Sequence, residues 1–405
     1  MSGLFKSLFG KRMSTLNVDN DIMPPKKICS SPNKQREVTS NEASVISNDL
    51  QEKMMLFADS NDNEAVVLSS FSLISALSML LVGLTDETLN QILSTLLIEN
   101  KNELFGKIVE VTDILNQTGC VKTSNVVMTK KNIPVVGNYL QKVQKLGEHF
   151  YFDQSEIKAL ANKVNSIVEK NTNGLIKNLL SPSDVTADTF LVLLNTIYFK
   201  SKWAEEFNKY NTKQKPFNRL GSLEPKTVSM MRHNEEYFRY FENTEFQAIS
   251  LPYDKYEFSM VIVLPTDKKK KAPVFNHEKM SEVMGNMQSQ CANVELPKFE
   301  QESELDLIPF FKNNGMTQMF DYMHADEMIP RFDKQYVSVI KQKCKIIVDE
   351  KGTEASAATV IMVCCQESCA MIQKPKKIYD FIADHPFSYH IVHRSGLILF
   401  TGSYC

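Results

Sequence analysis

The sequence predicts an α+β protein with one large folded domain. Three observations lead to this prediction. Apolar residues recur at helical spacing mainly in the first half of the chain, whereas short apolar runs typical of strands lie mainly in the second half. No linker rich in Pro, Gly or Ser interrupts the chain after its first forty or so residues. Of the 405 residues, 43% are hydrophobic, and this content is sufficient for one extensive core.

Three segments have the apolar spacing of helices. Residues 72–81 are mostly apolar and predict a largely buried helix. The second segment has an apolar stripe along one helical face, formed by Leu89, Ile92, Leu93, Leu96 and Leu97. The third stripe is formed by Leu160, Val164, Ile167 and Val168, and Gly174 beyond it is a stop signal for the helix.

Five short runs have the composition of strands. They are rich in β-branched, aromatic and other apolar residues, which favour the pleated surface of a sheet. The predicted strands cover residues 190–199, 258–264, 336–340, 387–392 and 397–400. The chain contains no internal repeat.

The first forty residues differ from the rest in composition. They are rich in Ser, Asn, Lys and Pro, and such a segment buries too little apolar surface to order itself. We therefore predict a disordered N-terminal extension over residues 1–40 and a folded domain over residues 41–405. The pair Lys26 and Lys27 is interpreted as part of a solvated tail, with a nuclear import signal as the alternative.

Charge and hydropathy restrict the partners and the compartment. The formal net charge of −2 gives no electrostatic reason to expect nucleic acid or an anionic membrane surface as a partner. Residues 1–12 lack a continuous apolar stretch of signal-peptide length, and no segment approaches the roughly 20 apolar residues of a membrane span. We therefore expect a cytoplasmic protein with reduced cysteines, with leaderless release or nuclear entry as alternatives.

The residue types that carry catalysis or bind metals form no recognisable set. The seven histidines do not belong to a Ser/His/Asp or Cys/His motif, and no phosphate-binding glycine pattern occurs. Cys364, Cys365 and Cys369 lie close together, but a structural zinc site needs four ligands at paired spacing. We interpret them as ordinary thiols, with a redox or crosslinking role as the alternative. The sequence therefore predicts that the protein is not an enzyme and needs no metal or cofactor.

The most informative stretch is VDEKGTEASAAT at residues 348–359. In an extended conformation one face would carry only small, uncharged side chains, those of Thr353, Ala355, Ala357 and Thr359. The charged Glu354 falls on the opposite face. Residues 331–374 contain no proline, so every backbone N–H there can join a ladder. The alternative is a flexible loop rich in Ala and Ser, but this alternation favours a segment that can enter a packed sheet.

This stretch resembles the hinge of the reactive-centre loop of the serpins, and the resemblance continues over roughly residues 44–402. The run LNTIYFK at residues 194–200, followed by Trp203 and Phe207, is similar to the most specific internal signature of that family. Three further motifs follow in the expected order: LPY at 251–253, LPKF at 296–299 and ADHPF at 383–387.

The resemblance implies a fold of three β-sheets with eight or nine helices and an exposed reactive-centre loop at about residues 350–380. It also implies a protease inhibitor that acts as a suicide substrate. A serine endopeptidase, or as the alternative a cysteine endopeptidase, would attack the loop, and the acyl-enzyme would be trapped as the loop inserts into the main sheet. The implied protein is a monomer, with loop–sheet polymers as an alternative state. The alternative function is a non-inhibitory serpin that acts as a chaperone, carrier or storage protein.

The resemblance also assigns residues to the reactive-centre loop. The hinge residues are Glu350, Gly352, Thr353, Ala355, Ser356, Ala357 and Ala358. Family spacing counted from Glu350 places the reactive bond between Gln366 and Glu367. Because the segment up to Pro386 is longer than usual, three alternative positions stay open: Cys365, Ser368 and Met371.

A second group of residues corresponds to the region where the sheet opens. Its members are Ser69, Ser72, Asn195 and Gln342. The chain departs from the family pattern at three positions. Ser70 stands where proline is usual, Ser201 where glycine is usual, and Gln342 where histidine is usual. The exchange at Gln342 could change the barrier to sheet opening.

Overall fold

The computed structural model describes residues 32–60, 65–222, 224–271, 273–330, 335–353 and 377–405, with the backbone alone for 32–43 and 59–60. The chain divides into two units, Met1–Arg36 and Glu37–Cys405. The second unit contains nearly all of the described residues, and its fold is given below.

Nine α-helices occur in the described part of the chain. They are α1 (Pro32–Ser60), α2 (Ser70–Leu81), α3 (Asp86–Leu96), α4 (Lys101–Thr118), α5 (Gly137–Val143), α6 (Ile157–Asn171), α7 (His277–Asn286), α8 (Ile308–Asn313) and α9 (Gln318–Asp321). The predicted helices at residues 72–81, 89–97 and 160–168 are α2, α3 and α6, so these predictions are confirmed. Helix α1 includes residues 32–40 of the predicted extension, and the start of the folded domain stays a prediction. No helix in the described segments is both long enough and apolar enough to cross a membrane.

Sixteen strands occur in the same segments. They are β1 (Val67–Leu68), β2 (Val121–Lys130), β3 (Glu148–Phe152), β4 (Leu191–Phe199), β5 (Ser201–Lys202), β6 (Lys213–Phe217), β7 (Lys226–Glu242), β8 (Phe246–Pro252), β9 (Phe258–Pro265), β10 (Gln288–Pro297), β11 (Phe299–Asp306), β12 (Val337–Asp349), β13 (Gly352–Thr353), β14 (Ile378–Ile382), β15 (Phe387–His393) and β16 (Ile398–Tyr404). The five predicted strands correspond to β4, β9, β12, β15 and β16, which confirms them.

The strands form two hydrogen-bonded sheets. The main sheet has the order β3-β2-β4-β12-β11, with β13 and β5 continuing it at one end of β12. The second sheet has the order β1-β16-β15-β9-β8-β7-β10-β14, with β6 beside β7. The 17-residue strand β7 pairs with β6 near its start and with β8 near its end. Strand β7 therefore joins the group of strands that contains β6 to the group that contains β8. These two groups account for the second and third sheets that the resemblance implied.

The main sheet lies between two helices. On one face, Leu193 and Ile197 of β4 belong to the same buried cluster as the side chains of α2. On the other face, Val192 and Leu194 pack in a separate cluster with Val164 of α6. Because successive side chains of a strand point to opposite faces, β4 serves both cores. Below, the face of the main sheet that packs against α2 is called the α2 face, and the face that packs against α6 is called the α6 face.

Candidate functional site

The candidate site lies along the line where β4 and β12 meet. These strands pair in parallel from Leu191 and Val337 to Ile197 and Cys344, a stretch that we call the seam. Beyond the seam the strands diverge at what we call the fork. There β13 lies between the end of β12 and the short strand β5, antiparallel to both. The fork thus already holds two residues of the predicted hinge in a strand position.

Gly352 is held closely against β5. Its φ of +150° is one that residues with a side chain rarely adopt. A Cβ atom at this position would lie 2.2 Å from the carbonyl oxygen of Ser201 and 2.6 Å from Cα of Lys202. Both atoms belong to the backbone and cannot rotate away. Glycine is therefore required at this hinge position by close packing.

Thr353 points to the α2 face and is 1% exposed. Its Oγ1 lies 2.6 Å from the hydroxyl oxygen of Tyr253. The Tyr253 ring stacks on Trp203 with centroids 4.5 Å apart and planes 10° apart, and Trp203 Nε1 donates a 2.9 Å hydrogen bond to the carbonyl of Asp349. Burial raises the pKa of Tyr253, so the hydroxyl stays neutral. The sequence pointed to Trp203 and Tyr253 only as parts of family motifs and gave them no role.

Glu350 anchors the start of the hinge by its charge. Its carboxylate lies 2.7 Å from Nζ of Lys298 and accepts a 2.8 Å hydrogen bond from Oγ1 of Thr212. Its carbonyl accepts a 2.8 Å bond from the N–H of Phe207. Burial opposes ionisation, but the bonds to Lys298 and to the other donors prevail, and the pKa of Glu350 lies below its ordinary value. Lys298 belongs to the LPKF motif, which is the only sequence signal that could have indicated it.

Three amide side chains link β12, β4 and β2 on the α2 face of the sheet. Gln342, Asn195 and Asn125 are register partners on β12, β4 and β2. Nε2 of Gln342 donates to Oδ1 of Asn195 at 2.7 Å, and Nδ2 of Asn195 donates to Oδ1 of Asn125 at 2.6 Å. Each of the three residues is 1% exposed. We call this arrangement the amide chain, and it crosses the seam between Gln342 and Asn195.

The first turn of helix α2 and its N-cap residue Ser69 accept hydrogen bonds from the amide chain. Nε2 of Gln342 donates to the carbonyl of Ser69 at 2.8 Å, and Nδ2 of Asn195 donates to the carbonyl of Ser72 at 2.9 Å. The four residues predicted for the sheet-opening region are therefore in mutual contact, while their role stays a prediction. Asn125 has no local signal in the sequence, since it follows the polar residues Lys122, Thr123 and Ser124.

The unusual Ser70 has a partner that proline could not have. Its N–H donates a 2.9 Å hydrogen bond to Oε1 of Gln51 on α1, and its hydroxyl donates to the same oxygen at 2.5 Å. Proline lacks the N–H and would leave the buried Gln51 amide with fewer partners. This departure from the family pattern is therefore accommodated by a residue on another helix.

On the α6 face, the segment between α6 and β4, residues 172–190, is held by side chains of β12. We call this segment the connector. Nζ of Lys341 lies 2.8 Å from Oδ1 of Asp184, and Nζ of Lys343 donates a 3.0 Å hydrogen bond to the carbonyl of Lys177. Near the base of the seam, Oγ of Ser338 accepts a 2.9 Å bond from the N–H of Phe190. The connector thus lies across the seam on this face.

Several predicted residues lie outside the described part of the chain. They are the hinge residues Ala355, Ser356, Ala357 and Ala358, and the candidates for the reactive bond, Cys365, Gln366, Glu367, Ser368 and Met371. Cys364 and Cys369 lie outside it as well. In the described residues, Cys120, Cys291, Cys344 and Cys405 are free thiols, and no three potential metal ligands lie together.

Comparison with known proteins gives consistent matches. The family model described as Serpin (serine protease inhibitor) matches residues 52–405. An uncharacterized serpin-like protein of Acanthamoeba polyphaga mimivirus is 31% identical over 359 residues, which is 85% of each chain. The leukocyte elastase inhibitor of Xenopus tropicalis is 31% identical over 373 residues, covering 86% of this chain and 96% of the relative. Serpin B8 of Homo sapiens is 30% identical over 369 residues, covering 86% and 95% respectively.

Solved structures show the same fold. Native protease nexin-1 with heparin superposes with a TM-score of 0.79 at 25% identity and covers 90% of this chain and 99% of that one. Uncleaved ovalbumin superposes with a TM-score of 0.75 at 23% identity and covers 89% and 99% respectively. At this identity the ovalbumin match bears on the fold alone.

Proposed function

The chain belongs to the serpin family, and on this premise we propose that it inhibits an endopeptidase as a suicide substrate. The observation that carries the proposal is the position of β13, which fills a strand site between β12 and β5 at the fork. Cleavage of the reactive-centre loop would free the residues after Thr353 to continue this strand down the seam. The inhibitor would then gain a central strand, and the protease would stay attached to its end.

The register of β13 supports this path. Thr353 lies opposite Val348 of β12 on one side and opposite Ser201 of β5 on the other. In an antiparallel pair each step forward on one strand is a step back on its partner. Continued for six residues, both ladders place Thr359 opposite Gln342 and Asn195, which are partners of each other in the closed seam. A strand that enters here therefore keeps register with both neighbours.

The side chains of the hinge suit both faces of the seam. Thr353 points to the α2 face, so Ala355 and Ala357 would follow it there, into a region already packed with apolar side chains. Small residues add little volume to such a close-packed core. Glu354 would point to the α6 face, where β12 already carries the charged side chains of Lys341 and Lys343. This division agrees with the alternation in the sequence.

The chemical step belongs to the protease. Its serine hydroxyl or cysteine thiol attacks the carbonyl carbon of Gln366, and the amine of Glu367 leaves with a proton, which produces an acyl-enzyme. About fourteen residues separate Thr353 from this bond and span roughly 45 Å as a strand. The attached protease would be carried that far and distorted against the body of the inhibitor. Loss of one oxyanion-hole donor alone slows such chemistry by about 10²–10³.

The target is proposed only by class. Arg and Lys are absent from the favoured and alternative reactive positions, which argues against a trypsin-like protease. A chymotrypsin-like or elastase-like serine protease and a papain-like cysteine protease fit the sequence better. We also propose a cytoplasmic monomer that needs no cofactor, with loop–sheet polymers as a second state. The position of the reactive bond between Gln366 and Glu367 is part of the same proposal.

The proposal is tested by incubating the protein with trypsin, chymotrypsin, elastase and papain. We expect a covalent complex on a denaturing gel with at least one of them, and mass spectrometry of the released C-terminal peptide identifies the cleaved bond. Cleavage by every protease without a complex would contradict inhibition and favour the non-inhibitory alternative.

Thr353→Arg tests the role of the hinge. Position 353 is 1% exposed, and a guanidinium group placed there would be a buried, unpaired charge. We expect the variant to be cleaved as a substrate with almost no covalent complex, measured by the ratio of complex to cleaved product on the gel. Thr353→Ser is the matched control and should retain the complex. An unchanged yield with arginine would show that the hinge does not need to enter the sheet.

A further inference from the structure

We infer that Tyr253 is a positioning residue for the hinge, and that its hydroxyl selects the register in which the reactive-centre loop starts to enter the main sheet. This inference rests on the proposed inhibitory function and adds a residue to it. It is drawn from the contacts around one buried pair of hydroxyl groups, those of Tyr253 and Thr353, which lie 2.6 Å apart.

The Tyr253 ring is held by contacts that do not involve the hinge. The residue is 0% exposed. One face of the ring stacks on Trp203 at 4.5 Å, and Phe199 contacts it edge-on with centroids 5.0 Å apart. Its N–H donates a 2.9 Å hydrogen bond to the carbonyl of Phe258. Because ring and backbone are both held, the hydroxyl is presented at a fixed point on the α2 face of the fork.

Only one register of β13 satisfies this hydroxyl. A shift of one residue would turn Thr353 to the α6 face and remove its hydroxyl from Tyr253. A shift of two residues in either direction would place Ala355 or Lys351 opposite the tyrosine. Alanine has no polar atom to offer, and lysine would bring an ammonium group into an apolar site. Because a buried hydroxyl without a partner is unfavourable, the observed register is selected over its neighbours.

The β ladders alone are too short to select the register. Strand β13 contains two residues, with two register pairs to β12 and two to β5. Backbone hydrogen bonds do not distinguish side chains, so they form equally well after a slip. The Thr353 hydroxyl thus identifies the correct residue by its side chain, together with the close approach to β5 that only Gly352 allows. An acylated loop that starts from this register can extend down the seam without first correcting a slip.

The inference predicts how the acyl-enzyme divides between the trapped complex and the cleaved product. Insertion competes with hydrolysis of the acyl-enzyme, and a delayed start of insertion sends more molecules to the cleaved product. The attack of the protease on the loop occurs before insertion and does not involve Tyr253. Removal of the hydroxyl should therefore raise the number of inhibitor molecules consumed per protease inhibited and leave the rate of loop cleavage unchanged.

The experiment compares Tyr253→Phe, Thr353→Val and the double variant with the unaltered protein, using the protease that forms the most complex in the panel. We expect each single variant to raise the stoichiometry of inhibition about threefold or more, and the double variant to resemble the stronger single one. Thr353→Ser should restore the original value. The rate of loop cleavage should change less than twofold. Tyr389→Phe is the matched control, because Tyr389 is equally buried and donates a 2.7 Å bond to Gln301.

A second readout does not depend on any protease. Trp203 is the only tryptophan of the chain and stacks on Tyr253, so its fluorescence reports whether the hinge is seated. We expect a red-shifted emission for Tyr253→Phe and Thr353→Val and an unshifted emission for Tyr389→Phe and Thr353→Ser. Unshifted emission in the first two variants, additive effects in the double variant, or an unchanged stoichiometry despite a shift would each overturn the inference. Absence of a complex with the unaltered protein would contradict the proposed function instead, and the fluorescence would then decide the inference alone.

Discussion

At the fork, Gly352 and Thr353 already occupy a strand position, whereas along the seam β4 pairs directly with β12. The contacts of the fork are compatible with an inserted strand, because β13 already occupies a strand position between β12 and β5. The contacts across the seam are not compatible with it. A strand placed between β4 and β12 moves them apart by one strand spacing, about 4.8 Å, and must break the bond between Gln342 and Asn195. In the proposed mechanism the fork therefore determines where insertion begins, and the seam determines how readily it continues.

The two regions also differ in charge. The fork depends on the ionised Glu350 beside Lys298. The α2 face of the seam is crossed by neutral amides, since glutamine stands at position 342 where the family usually has histidine. An amide does not titrate, whereas a histidine changes charge near neutral pH. We therefore expect acid to weaken the fork and to leave the amide chain of the seam intact.

The largest effect should follow from breaking the seam with Asn195→Ala. The substitution removes the central amide and leaves Nε2 of Gln342 and Oδ1 of Asn125 without one buried partner each. We expect the free energy of unfolding to fall by about 2–4 kcal/mol, measured by denaturant titration. Asn162→Ala on the exposed side of α6 is the control and should change it by less than about 0.5 kcal/mol. A loss below about 1 kcal/mol for Asn195→Ala would mean that the amide chain does not hold the seam.

A smaller effect should follow at the fork from Glu350→Gln. Because the carboxyl group has a pKa below its ordinary value of 4.5, its ionised form stabilises the folded state. This contribution is present above pH 4.5 and is lost as the pH falls through the lowered pKa. We expect the variant to be less stable by about 1 kcal/mol at pH 7, and the difference to shrink below about pH 4.5.

The measurement for Glu350→Gln is the unfolding midpoint of both proteins between pH 3 and pH 7. Groups that titrate in both proteins cancel in the difference, so the remaining pH dependence belongs to position 350. Glu99→Gln, at an exposed position, serves as the control and should change the unfolding midpoint little. A difference that stays constant from pH 7 to the acid end would show that the charge of Glu350 contributes nothing.

The contrast between the fork and the seam also explains how much of the candidate site could be predicted from the sequence. The hinge was predicted from local alternation after residue 348, because period-two spacing can be read from neighbouring residues. Only part of the amide chain could be predicted from the sequence. Asn195 belongs to a family motif, but its partner Asn125 is far away in sequence, and their pairing depends on the register of the sheet. The Gln51 that accommodates Ser70 comes from another helix and has no local signal. Contacts within a segment were therefore predictable, and contacts between segments required the fold.

The smallest effect, and the sharpest test of the seam, concerns the connector on the α6 face. Lys341 of β12 and Asp184 of the connector form a partly buried ion pair, with side chains 19% and 15% exposed. Strand insertion moves β12 away from β4, into which the connector leads, so a 2.8 Å pair should be broken before the loop can pass. Lys345 provides the matched control, because its pairs with Glu300 and Glu302 lie between β11 and β12 and need not break.

We therefore expect Lys341→Met to accelerate insertion by about two- to fivefold, in keeping with an interaction of no more than about 1 kcal/mol. The measurement is the rate at which a synthetic peptide with the sequence of residues 353–366 is incorporated into the intact protein, followed by native gel. Added salt should accelerate peptide incorporation into the unaltered protein, since salt screens the ion pair. The difference in rate between the unaltered protein and Lys341→Met should therefore decrease. Lys345→Met should leave the rate unchanged. Equal acceleration by both substitutions would mean that the rate of insertion depends on the total charge of β12. The ion pair with the connector would then offer no specific resistance to opening of the seam.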